Sequence, residues 1–332
     1  MNSVISYTLL LQIIFSASFA QSSGSGGDTT NINNFVLPPD YKCSTLGEIP
    51  DYTKSGHGKK TLVLIPGLGF DKSVFDDFVK DYQKEYKIYA ITIPGYGNTQ
   101  APPLPPEGTS FGDQSWNKSI LQGIRKLIVK EHIKEAILVG HFVQGTQLAL
   151  RMAIDFPQLI GGVIVLGGPA KFVLIQRGKP LEFPLASTIN YIDKVTGPTW
   201  FRKISKEDFD AGNYLPEVYS LNPQVGMALW KQSAAVPLPV YIHSLCEFFA
   251  SDITLETSKI KCPVLVLRPT FNQHIFQNSI NNYLTPQFRA AWDKVSSTNS
   301  LFTIVDIPDA SIFVWKDNPS AVKREINSFI MK

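Results

Sequence analysis

Little of this sequence is charged, and almost none of it is cysteine. Of 332 residues, 18% are Asp, Glu, Lys or Arg, and the formal net charge is only +3. The basic residues are scattered and form no block, so nucleic acid is not an expected partner. Cys43, Cys246 and Cys262 allow at most one disulfide and one free thiol, with three pairings open. Cys262 directly precedes an apolar run and reads as a buried small hydrophobe, while a Cys43–Cys246 bond would pin the N-terminal arm to the body. Metal-ligand spacing, a phosphate loop and a dinucleotide fingerprint are all missing, so no cofactor is expected. Internal repeats are missing too. What remains is a chain with 44% hydrophobic residues, the composition of a globular core.

The N-terminal region stands apart. Residues 1–20 are mostly apolar and end in Ser18-Phe19-Ala20, whose small residues suit cleavage before Gln21 by a signal peptidase. The run is too short and too polar for a stable membrane span, which takes about 20 apolar residues. A secreted protein follows as the expectation. Residues 21–59 begin with the Gly/Ser linker QSSGSGGDTT and continue as an extended arm with few periodic apolar positions. Asn117-Lys118-Ser119 is the one glycosylation sequon and, in a secreted chain, would be modified at Asn117 if exposed.

From residue 60 onward, apolar runs alternate with helical patterns. Thr61–Ile65, Ile88–Ile93, Ala136–Val139 and Val163–Leu166 are β-branched-rich runs that end at turn residues, the signature of strands buried on both faces. Between them, Val74, Phe75, Phe78, Val79 and Tyr82, and then Ile120, Leu121, Ile124, Leu127 and Ile128, recur at helical spacing. Such βαβ alternation predicts a mostly parallel sheet flanked by helices. Residues 171–260 break the rhythm with prolines and the aromatics Trp200, Phe201, Tyr214, Tyr219, Trp230 and Tyr241, read mostly as local core.

The stretch Gly140-His141-Phe142-Val143-Gln144-Gly145, between the strand ending at Val139 and a helix expected over Thr146–Ala153, resembles the nucleophile elbow of the α/β-hydrolase superfamily. Other landmarks follow in that family's order. Pro66-Gly67-Leu68-Gly69 is similar to its oxyanion loop, with Pro66 in place of histidine, and Pro94-Gly95-Tyr96-Gly97 to its Pro-Gly-x-Gly loop. Cys262–Leu267 resembles the strand before the catalytic acid, Ile307–Phe313 the loop that carries the base, and Ser320–Ile330, behind Asn318-Pro319, the last helix. The resemblance spans residues 60–332 and implies an α/β-hydrolase fold, with a helical lid at 171–260 inserted after the sixth strand.

It also implies where a catalytic triad belongs. The nucleophile falls on Phe142, the acid on Asn272 and the base on Ile312. Phenylalanine has no lone pair to attack a carbonyl, and an amide lacks the charge that stabilises an imidazolium. Gln144 stands where the family keeps a small residue, so either the turn has relaxed or Gln144 fills the former site. Backbone donors at Leu68 and Val143 do not depend on side chains. Gly67, Leu68, Gly69, His141, Val143 and Gln144 are therefore the expected ligand-pocket residues. The leading expectation is a secreted, catalytically inactive hydrolase-like protein that binds a small apolar acid or ester, or a protein partner, and is not an enzyme. The alternative is a hydrolase whose chemistry has moved to His141, His274 or lid residues.

Overall fold

Thr61–Ile65 (β2), Lys87–Thr92 (β3), Ala136–His141 (β4), Ile160–Leu166 (β5) and Val264–Pro269 (β8) form the buried centre of a seven-stranded sheet. In the computed structural model, which describes residues 42–176, 179–181, 183–272, 284 and 286–331, the strand order is β1-β3-β2-β4-β5-β8-β9. Only β1 (Asp51–Ser55) is antiparallel; β9 (Phe302–Ile307) closes the opposite edge in parallel. Central strands are apolar throughout because helices cover both faces. Val63 and Ile65 point into one core, and Leu62 and Leu64 into the other, as the two-residue period of a strand requires.

Helix α1 (Asp76–Tyr82) belongs to the second core, whereas α2 (Ser115–Lys130) and α3 (Phe142–Asp155) pack in the first. The intervening lid comprises a small hairpin, β6 (Leu174–Gln176) and β7 (Lys179–Leu181), and six helices. These are α4 (Leu185–Tyr191), α5 (Gly197–Lys203), α6 (Lys206–Gly212), α7 (Pro216–Tyr219), α8 (Pro223–Ala234) and α9 (Leu238–Phe249). After the lid come α10 (Ala291–Thr298) on the first core, then α11 (Val314–Asp317) and α12 (Pro319–Met331) on the second.

Carboxylates tie the lid to the sheet domain, among them Asp193, which accepts the Phe111 N–H (2.9 Å), and the two that follow. Glu247 of α9 is buried and accepts the backbone N–H groups of Trp116 (2.8 Å) and Asn117 (2.9 Å) at the start of α2, where the helix leaves donors unpaired and favours negative charge. Asp317 of α11 accepts the Leu221 and Ser311 N–H groups, which joins the lid to the loop expected to carry the base.

Several expectations are corrected. Among the described residues the lid follows β5, the fifth strand, because β6 and β7 lie within the lid itself. Part of the supposed arm is strand β1, paired with β3 from Asp51 to Ser55; its polar sequence DYTKS suits an edge. The elbow helix starts at Phe142, so no separate turn intervenes. All three cysteines are free: Cys43 is exposed, and Cys246 and Cys262 are buried. Asn117 is buried and its amide donates to Gln114 Oε1, so it is not open to glycosylation. The signal peptide, the Gly/Ser linker and His274 lie outside the described residues. No helix among the described residues is long and apolar enough to cross a membrane.

Candidate active site

Strand β4 runs straight into α3 at the elbow, and the contact there is as close as backbone allows. A Cβ on Gly140 would lie 2.4 Å from the Gly145 carbonyl oxygen, and one on Gly145 2.4 Å from that of Ile65. Both glycines are therefore sterically required. Phe142, between them, has φ +50°, in the left-handed region. For a bulky side chain this conformation is strained by about 1–3 kcal/mol and persists only where the surroundings enforce it. Of the two alternatives raised by Gln144, a relaxed backbone at the elbow is not what residue 142 adopts.

The remaining landmarks converge on this point. A Cβ on Gly67 of the oxyanion loop would meet the Phe142 Cβ at 2.7 Å and the His141 Nδ1 at 3.0 Å. Gly167, beyond the tip of β5, has φ +57° and packs so closely that its Cβ would sit 2.0 Å from the Ile312 carbonyl oxygen. Ile312 is fully buried and its N–H donates to the Val218 carbonyl of the lid (3.1 Å). The Phe271 N–H donates to the Ala310 carbonyl (3.0 Å), which sets the backbone leading to Asn272 beside the Ile312 loop. Phe142 is half-buried and stacks on Phe288, with ring centroids 6.5 Å apart; Phe288 in turn meets Phe271 edge-on at 5.3 Å. Aromatic rings thus stand in front of the elbow.

His141 lies behind it, caged by Phe313 (4.2 Å between centroids), Trp315 (4.9 Å), Phe70 (5.9 Å) and Phe75 (6.3 Å). Neither ring nitrogen hydrogen-bonds to another described residue. Burial holds this imidazole well below its ordinary pKa, so it is neutral. His141 is fully buried packed core, which corrects its assignment as a ligand contact.

Gln144 is corrected as well. It is 2% exposed and turned away from the elbow's front, where it accepts from the Tyr96 hydroxyl (2.7 Å) and donates to Asn117 Oδ1 (3.1 Å). The motif loop containing Tyr96 was visible in the sequence, but its partnership with Gln144 was not.

The polar groups that reach the oxyanion loop come from the lid: Tyr219 and Tyr241 were read from the sequence as local core, and Ser233 was not singled out. A Cβ on Gly69, whose φ is +85°, would sit 2.7 Å from Ser233 Oγ and 2.9 Å from the Tyr241 ring. The Tyr219 hydroxyl is 3.5 Å from Ser233 Oγ. Burial raises the pKa of both Tyr219 and Tyr241, so these phenols stay protonated and act as donors. They line a cleft with Phe209, Asp210 and Trp230 whose enclosed space is about 10 Å³. That is about enough for one water.

The pattern that defines the Alpha/beta hydrolase family matches residues 62–320. A 2-hydroxy-6-oxononadienedioate/2-hydroxy-6-oxononatrienedioate hydrolase of Paraburkholderia phymatum is 28% identical over 131 residues, which is 37% of this chain and 42% of that protein. Among solved structures, an esterase from Exiguobacterium antarcticum superposes with a TM-score of 0.61 at 14% identity, covering 85% of this chain and 95% of its own. The enol-lactonase from Burkholderia xenovorans gives 0.61 at 17% identity, covering 85% and 96%. At such identities the superpositions show the fold alone. The expectation that this chain is not an enzyme is overturned by the family match together with the curated relative, which is named a hydrolase. Three side chains at the elbow and its neighbours were too narrow a basis for it. From the family pattern and the sheet order together, the chain belongs to the alpha/beta hydrolase family.

Proposed function

We propose that this protein is a hydrolase of small carbonyl compounds, an ester or lactone in the first instance, working without a nucleophilic side chain at the elbow. The observation that carries the reading is the left-handed Phe142. A strained backbone that no catalytic serine at residue 142 requires is accounted for if it still aims the Val143 N–H, beside that of Leu68, at a carbonyl oxygen. Phe142, Asn272 and Ile312 occupy the positions where the family's triad belongs, so the attacking oxygen comes from elsewhere. Water is the nucleophile in this scheme. Its oxygen bonds to the carbonyl carbon while a second water takes its proton and the π electrons move onto the oxygen held by the two amides. Those electrons then return, the C–O bond to the alcohol breaks, and the departing oxygen takes a proton from water, with the Ser233, Tyr219 and Tyr241 hydroxyls orienting the attacking water. Magnitude decides what kind of enzyme this is. Enzymes stripped of their triad retain roughly 10³–10⁴-fold acceleration over water from the oxyanion hole and binding, so this chain is a slow hydrolase.

The test is turnover of phenyl acetate, p-nitrophenyl butyrate and δ-valerolactone. Slow wild-type hydrolysis is expected, retained within a few fold in Phe142→Ala and lost in Gly67→Ala, whose new Cβ would press on the elbow. A silent wild type beside an active Phe142→Ser, Asn272→Asp, Ile312→His variant would overturn the reading.

A further inference from the structure

Gln144 occupies a position where the family's elbow has little room, and its side chain is accommodated by a run of hydrogen bonds pointing one way. The Tyr96 hydroxyl donates to Gln144 Oε1 (2.7 Å), Gln144 Nε2 to Asn117 Oδ1 (3.1 Å), and Asn117 Nδ2 to Gln114 Oε1 (2.9 Å). Gln114 Nε2 then donates to the backbone carbonyls of Glu247 (2.6 Å) and Phe111 (2.9 Å). Direction is fixed from the far end. A carbonyl oxygen only accepts, so Gln114 must present its nitrogen to Glu247 and its oxygen to Asn117, and each amide along the run is oriented in turn. Tyr96 is left with its proton directed at Gln144. Burial pushes the Tyr96 phenol far above its usual pKa, with the Gly69 N–H and Ser244 hydroxyl beside its oxygen offsetting part of that rise. Tyr96, Gln144 and Asn117 are all buried.

The two ends of this run are functionally distinct places. One is Tyr96, buried in the same core as Leu68 of the oxyanion loop, next to Gly69 on which Ser233 and Tyr241 of the lid rest. The other is the Glu247 carbonyl in lid helix α9, the residue whose carboxylate holds the start of α2. We infer that Gln144 is a positioning residue that couples lid helix α9 to the oxyanion loop through Tyr96, Asn117 and Gln114. When α9 is seated, the amide run is complete and Tyr96 is held in place against Leu68 of the loop. When α9 moves to admit substrate, Gln114 loses its lid acceptor and keeps only the Phe111 carbonyl, and the loop loosens. The consequence for catalysis rests on the hydrolase reading above; the mechanical coupling does not.

Hydrogen exchange measured on the full chain separates the two. Gln114 sits at φ +55°, which asparagine tolerates, and Gln114→Asn is one methylene too short to span Asn117 and Glu247. This variant is expected to fold with a near-native Tm and to speed exchange of the Gly67–Phe70 amides about tenfold, the effect of losing roughly one hydrogen bond. Tyr96→Phe, cut at the other end, is expected to speed exchange in α9 similarly. Ser205→Ala, which removes a lid cap outside the run, is expected to leave both segments unchanged. If wild type turns over phenyl acetate, Gln114→Asn lowers kcat more than it alters KM. Unchanged Gly67–Phe70 exchange in Gln114→Asn, or an equal rise in every segment, would overturn the coupling. A wild type silent toward esters with the exchange pattern intact would remove the hydrolase reading and leave the coupling standing.

Discussion

Residues 142 and 144 are two residues apart in the first turn of α3, and their side chains leave it on opposite sides into surroundings with nothing in common. Around Phe142 and His141 are Phe288, Phe313, Trp315, Phe70 and Phe75, with no hydrogen bond to either imidazole nitrogen among the described residues. Around Gln144 are Tyr96 and Asn117, each bonded to it, in a run that ends in the lid. The aromatic flank derives its stability from burial and is indifferent to the exact partner. The polar flank is directional, and a missing member leaves a buried donor or acceptor unpaired at about 1–3 kcal/mol. One flank of the elbow is packing and the other is wiring.

The most severe way to break this comparison is to separate the elbow from both flanks at once. Gly145→Ala would place a methyl 2.4 Å from the Ile65 carbonyl oxygen and 2.6 Å from that of Pro66, backbone atoms that cannot swing aside. Helix α3 must then lift from β2, at about 3 kcal/mol or more. Urea unfolding should show that loss, with the oxyanion loop displaced as well. Unfolding within 1 kcal/mol of wild type, by the same reasoning, would mean that the elbow is looser than this contact implies.

A smaller effect tests the aromatic flank alone. His141 is held neutral by burial, its folded pKa well below the ordinary value of 6.5. Below about pH 6.5 the unfolded chain binds a proton that the folded chain refuses, so this group's contribution is whole above that pH and is lost as pH falls. The slope from one such group is at most about 1.4 kcal/mol per pH unit. His141→Leu removes it, so the stability difference between pH 7 and pH 5 should shrink relative to wild type. An identical pH profile in the variant would show that the imidazole is solvated or paired.

The frame of this molecule was legible because buried parallel strands are written locally: TLVLI, VLVL and the glycine turns behind them can be read without knowing what they touch. β1 was not legible, since an edge strand facing solvent carries DYTKS and no apolar run. The candidate site divides in the same way. Phe142, Ile312 and Asn272 were placed by motif order. Tyr96, Gln114 and Glu247 joined the picture only through contacts spanning 48 residues for Tyr96–Gln144 and 133 for Gln114–Glu247, which no local spacing encodes. Inferring the loss of function from side chains was overturned by the family match and the hydrolase relative, and the φ of +50° at residue 142, on which the proposed backbone donors rest, is not something a sequence displays.

That left-handed residue supplies the finest test of the comparison. Phe142→Gly removes a half-buried ring stacked on Phe288, a loss of about 1–2 kcal/mol by area. It also frees the unfolded chain, which costs about 0.5–1 kcal/mol more. Against these stands relief of the positive-φ strain, about 1–3 kcal/mol. The terms nearly cancel, so the variant should unfold within about 1 kcal/mol of wild type, whereas Gln144→Gly has no strain to relieve and leaves Tyr96 and Asn117 without their partner. Near-equality for Phe142→Gly is thus a measurement of the strain itself. A loss above about 3 kcal/mol would mean that the ring is a true core element and the backbone at 142 is relaxed. The left-handed turn would then no longer argue for a surviving oxyanion hole.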